Sequence, residues 1–161
     1  MADTTLPKRP SLSPCPCYID PRAAFDWLQA AFGFELEMLL EDADGNIAHA
    51  ELRYGDGVVM VGSKWTDTHR SPADIDGANT QTIHMHLEED IDAHCERARA
   101  AGATIFAEPE NQFYGDRTYR ARDPEGHIWT FSQTVENLTP DQWDAASGLR
   151  TTLGPKAGGE A

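Results

Sequence analysis

Apolar and polar positions along the chain follow two periodicities in a fixed order, and that order occurs twice. Residues 14–19 form a short run containing prolines, which suits an edge strand because proline has no N–H for a second neighbour. Asp20-Pro21 then offers a capping carboxylate and a proline at the first helical position. Ala24, Phe25, Leu28, Ala31 and Phe32 recur at helical spacing until Gly33, where a left-handed residue ends the helix. Strands are predicted at 35–41, 47–54 and 58–62, the first two joined by the Asp44-Gly45 turn. After a polar stretch at 63–80 the pattern restarts with a strand at 81–87. Asp90 caps a second helix with Ile91, His94, Cys95, Ala98 and Ala101 on its apolar stripe and Gly102 at its end. Strands follow at 104–107, 118–122 and 128–133, with Asp123-Pro124-Glu125-Gly126 as a type I turn.

The two halves superpose in register. Asp20 to Gly33 spans 13 residues and Asp90 to Gly102 spans 12, while Gly57 and Gly126 follow their capping aspartates by 37 and 36. Such matched spacing marks an internal repeat. The fold class is α+β, with paired βαβββ modules forming a curled mixed sheet with a concave cleft and the helices on the outer faces. A flexible arm at 1–12 precedes a single domain at 13–134, made of modules 13–63 and 81–134 and a connecting loop at 64–80. Residues 135–161 are a C-terminal extension, a short helix opened by Thr139-Pro140 and then a glycine-rich mobile tail.

Charge narrows the partners. The 161 residues carry 13 Lys and Arg against 27 Asp and Glu, a net charge of −14. This balance repels phosphate backbones and anionic membranes, so neither nucleic acid nor membrane is expected as a partner. It adds a mild preference for a cationic ligand. No apolar stretch follows Lys8 and Arg9, so no secretory signal is read and the expected location is the cytoplasm. Cys15, Cys17 and Cys95 are an odd number and suggest neither a disulfide framework nor a zinc set; the first two are expected to be buried.

The segments Ala24-Phe25-Asp26-Trp27-Leu28 to Ala31-Phe32-Gly33-Phe34, and Tyr114-Gly115-Asp116-Arg117 to Asp123-Pro124-Glu125-Gly126-His127-Ile128-Trp129, sit in this doubled order of elements. In them the chain resembles the vicinal oxygen chelate superfamily, which includes glyoxalase I, extradiol dioxygenases and bleomycin resistance proteins. The resemblance implies a metal held by one His, Gln or Glu from the first and last strand of each module. His84 matches one such position; Pro14, Met60 or Val61, and Thr130 stand at the others and are not usual ligands. The glyoxalase I metal chemistry therefore does not carry over, and no metal or other cofactor is expected. The resemblance implies small-molecule binding of the bleomycin-resistance kind, with an antibiotic or a metabolite as ligand. The alternative is a metal-dependent lyase, isomerase or dioxygenase with a rearranged site at His84, His86 and a carboxylate. A homodimer is expected, because apolar strand surface near residues 58–61 calls for a cover.

The ligand-binding candidates follow from parity. His84, His86 and Glu88 alternate and share one face of their strand, as do His49, Glu51 and Arg53 on theirs. Imidazole beside carboxylate suits acid–base work or polar contacts to a ligand. Trp65, Phe113 and Tyr114 fall in loops, where they stack on a ligand or plug the ends of the sheets. The expected site is His49, Glu51, His84 and His86, rimmed by Trp65 and Tyr114. Arg117, Arg120 and Arg122 either pair with a ligand carboxylate or neutralise neighbouring acids.

Overall fold

The computed structural model describes residues 8–155, so the start of the arm and the end of the tail lie outside the described residues. The first module comprises α1 (Pro21–Phe32), β1 (Glu35–Glu41), β2 (Ile47–Tyr54) and β3 (Gly57–Val61). The second comprises β4 (Ile83–His86), α2 (Ile91–Ala100), β5 (Thr104–Asn111), β6 (Asp116–Arg122) and β7 (Ile128–Thr134), and α3 (Pro140–Ser147) follows. No helix of the described residues is long and apolar enough to cross a membrane.

Both main helices start as their caps dictate. The side chain of Asp20 accepts from the Ala23 N–H and that of Asp90 from the Ala93 N–H, satisfying first-turn donors that no helical carbonyl reaches. Gly33 closes α1 at φ +74, a left-handed conformation that ties the position to glycine.

The repeat is present in the sheets. One sheet has the order β1-β2-β3, and residues 14–18 run parallel beside β3. There Tyr18 N donates to Gly62 O and Met60 N to Pro14 O. The other sheet has the order β4-β7-β6-β5, with β4 parallel to β7. These are two open mixed α+β layers on one plan. β5 runs to Asn111, past the end at residue 107 read from the sequence. Pro109 interrupts the strand pattern in the sequence, and it is tolerated because β5 is an edge strand with register shifts on either side of Ala107.

The placement of the helices differs from expectation. They do not lie on separate outer faces; they pack on each other, and both sheets close on them from the core side. Phe32, at the end of α1, stands 5.2 Å from the Trp129 ring and 4.7 Å from the Phe131 ring of the other module. Trp27 Nε1 donates to Ala101 O at 2.7 Å. The buried stripe of α1 (Ala24, Phe25, Leu28, Ala31, Phe32) is too wide for β2 and β3 alone, and the small Cys95 and Ala98 of α2 let the helices approach.

Two buried polar groups are part of this core. His94 is 0% exposed; its Nε2 donates to the Phe32 carbonyl and its Nδ1 is hydrogen-bonded with the Tyr119 hydroxyl at 2.6 Å. Asp123 is 5% exposed and accepts from Tyr18 Oη at 2.8 Å and Trp129 Nε1 at 3.1 Å. Its other oxygen accepts from the N–H groups of Glu125 and His127.

Two expectations follow. Asp123→Ala strips four donors of their acceptor and should cost about 3 kcal/mol in urea unfolding, against about 1 kcal/mol for Tyr18→Phe. Burial holds the His94 pKa below its ordinary value of 6.5, so the unfolded chain takes up this proton first as pH falls. Its share of stability is intact above the unfolded value and is lost as pH drops through that value toward the folded one. His94→Gln should therefore be less stable than the natural protein at about pH 7.5, yet lose less on going to about pH 5.5, in paired urea titrations.

Candidate functional site

Each sheet spends one face on the shared core and turns the other away from it. On β2, Ala50 and Leu52 enter the core, so His49, Glu51 and Arg53 take the opposite face. Across the ladder Glu51 faces Met38 on one side and Met60 on the other, and Leu40 faces His49. His49 Nε2 lies 2.8 Å from Glu51 Oε1, and Arg9 Nη2 of the arm lies 3.3 Å from the same oxygen. Glu51 is consequently 2% exposed, which strand parity alone did not foretell. Arg53 pairs with Glu37, whose carboxyl this hydrogen-bonded guanidinium holds below the ordinary range, and it also donates to Lys8 O.

Trp65 is 78% exposed and lies beside the same face, sharing a shallow hollow with His49, Met60 and Cys15. Cys15 is exposed, contrary to expectation, with its Sγ 3.6 Å from Met60 Sδ. Residues 14–18 form a single bridge rather than a full strand, so burial there does not alternate: Pro16, Cys17 and Tyr18 are buried in succession.

The second sheet carries the other histidines. Met85 points to the core, and His84 and His86 are exposed on the opposite face. Both rings reach one hydroxyl, Ser132 Oγ, which lies 2.9 Å from His84 Nε2 and 3.2 Å from His86 Nδ1. Ser132 is buried and went unnoticed in the sequence, although it shares parity with Thr130 on β7. Along the rows of the sheet His84 is followed by Thr130 and Arg120, and His86 by Ser132 and Thr118. Glu88 lies beyond the end of β4.

A hollow of about 300 Å³ opens where the modules meet. Phe34, Tyr54 and Val59 form its wall from the first module, and Ile83, His84 and His86 from the second. Leu12 and Pro14 stand at its edge, and Leu12 is 86% exposed.

Of the expected site residues, the structure brings His84 and His86 together on the hollow and His49, Glu51 and Trp65 together on the other sheet. It does not bring the two groups into contact within the chain. Tyr114 is half-buried in the turn between β5 and β6, edge-on to Phe113 at 5.2 Å.

The four positions at which the fold family holds a metal do not fit one. Pro14 has no donor, Val61 is in the core, the Met60 sulfur lies against Cys15, and His84 is joined by Thr130 with Arg120 next to it. Among the described residues no group of three or more His, Cys, Asp and Glu is placed to hold a metal ion. The arrangement offers apolar walls, paired imidazoles and hydroxyls, which suit recognition of an organic molecule.

Comparison with known proteins identifies the family. The sequence model described as Glyoxalase/Bleomycin resistance protein/Dioxygenase superfamily matches residues 17–131, and the chain belongs to that superfamily. An uncharacterised protein of Mycobacterium bovis is 33% identical over 141 residues, 85% of this chain and 91% of the relative. TioX from Micromonospora sp. ML1 is 35% identical, with a TM-score of 0.62 over 81% of this chain and 100% of its own. TnmS3, an antibiotic binding protein from Streptomyces sp. CB03234, is 21% identical and shares the fold, with a TM-score of 0.56 over 78% of this chain and 97% of its own.

Proposed function

We propose that this member of the glyoxalase/bleomycin resistance protein/dioxygenase superfamily is a small-molecule binding protein of the cytoplasm, which sequesters an antibiotic or holds a metabolite. The observation that carries the reading is the hollow of about 300 Å³ at the module junction, with mostly apolar walls and with His84, His86 and Asp56 among its lining. Its size and lining are those of a site for a small organic ligand. The same fold serves antibiotic binding in TnmS3. Three free cysteines are compatible with a reducing compartment.

A second copy of the chain completes the site in this reading. His49, Glu51 and Trp65 occupy a face turned away from the core, beside the half-exposed Leu40. That face needs an opposing surface, and the His84–His86 face of another copy is one of suitable polarity. Tyr114 then belongs to the rim. The enzyme reading draws on the His49–Glu51 pair at 2.8 Å as an acid–base couple, but Arg9 already holds the carboxylate. The metal-dependent reading at His84, His86 and a carboxylate lacks a fitting donor set among the described residues.

Binding is tested by a fluorescence titration with ring-bearing antibiotics, glycopeptides and small oxo-acids. At least one ligand is expected to lose about tenfold in affinity, about 1.4 kcal/mol, on Trp65→Ala or His84→Ala. Unchanged affinity for every ligand in both variants defeats the reading. Assembly is tested separately by sedimentation at micromolar concentration, where a dimer is expected and a monomer with no concentration dependence refutes it.

A further inference from the structure

The arginines are unevenly used. Arg9, Arg22, Arg53, Arg70, Arg97, Arg99 and Arg117 each hold a carboxylate within 4.0 Å. Arg120, Arg122 and, outside the sheets, Arg150 form no such pair among the described residues, although acids outnumber bases 27 to 13 in this chain. The first two are exposed on β6, two residues apart and therefore on one face, where their guanidinium groups spring from points about 7 Å apart. The neighbours are uncharged: Thr130 lies opposite Arg120 and Ile128 opposite Arg122. Glu110, opposite Thr118, is the acid that the register brings to this row, and it makes no ion pair with either arginine. Arg122 is held in place by Phe106, with its guanidinium carbon 4.5 Å from the ring centre.

This face is continuous with the one just described. From His84 the row runs through Thr130 to Arg120, two strand spacings or about 10 Å. We infer that the ligand is an organic anion: an apolar ring system seated at the junction hollow, bearing a carboxylate-like group that reaches Arg120 and Arg122. The inference rests on the binding function proposed above and adds its ligand class. Two guanidinium groups without carboxylate partners provide fork-shaped donors suited to such an anion. Thr118, Thr130 and the Ser132-bridged histidines give the polar path between the two ends. The net charge of −14 repels anions at long range, so recognition depends on these local donors and weakens with salt.

The test uses two dyes that differ by one anionic group, 8-anilino-1-naphthalenesulfonate and neutral N-phenyl-1-naphthylamine, titrated into the natural protein and into Arg120→Gln/Arg122→Gln. Both arginines are exposed and make no ion pair among the described residues, and an unchanged thermal midpoint checks that the variant folds. The sulfonate is expected to bind about tenfold more tightly than the neutral dye, and the double substitution should erase that advantage while leaving the neutral dye unaffected. Equal binding of the two dyes, or a sulfonate affinity untouched by the substitutions, overturns the anion inference and leaves the binding function standing. If neither dye binds, the hollow is no ligand site and both readings fall.

Discussion

The structure depends on one buried carboxylate. Asp123 sits in the turn between β6 and β7, at the end of the second module, and takes the hydroxyl of Tyr18 from the start of the first. The same turn makes further ties to that segment. Glu125 accepts from the N–H groups of Ile19 and Asp20, His127 Nε2 donates to Cys17 O, and Ser71 of the connecting loop donates to Glu125. Because the carboxylate of Asp123 is also bound to Trp129 Nε1, the turn, the first segment and the central core strand are fixed by one group. Burial of a charge is costly unless every lone pair is used, and here four donors use them.

The helices complete that arrangement. Had each covered only its own sheet, the other faces would have been free to curl toward each other within one chain. Instead Phe32 inserts between His94, Trp129 and Phe131, and the two sheets share one core. The polar candidates of β2 and those of β4 lie opposite the shared core on their own strands, and no hydrogen bond joins the two sets among the described residues.

Much of this was legible in the residues. The caps at Asp20 and Asp90, the glycine at 33 and the turn at 123–126 have local causes, and the structure places each where the spacing put it. The doubled order of elements and the shared faces of His84 with His86 and His49 with Glu51 follow from periods of 3.6 and 2. What could not be read was how one module meets the other. Nothing local tells that the stripe of α1 reaches Trp129, that Arg9 comes back to Glu51, or that Ser132 lies between two imidazoles. Cys15 was misread for a related reason: parity holds only where a ladder is paired, and its segment makes one bridge.

Charge gives the same lesson about scale. A sum over the whole sequence points to cationic ligands, since 27 acids surround 13 bases. Yet a ligand meets a particular face, and at contact distance the groups there outweigh charges beyond about one Debye length, roughly 8 Å at physiological salt. On the second sheet these groups are Arg120, Arg122, two histidines, three hydroxyls and one acid, Glu110, with the nearby arginine of β6, Arg117, already committed to Asp92. On the first sheet each charge is matched, with Glu51 buried beneath Arg9 and Glu37 holding Arg53. The two halves of the repeat have kept one backbone plan, but one face carries two arginines without ion pairs among the described residues and the other carries closed pairs. That asymmetry would place the charged end of an anionic ligand on the second sheet.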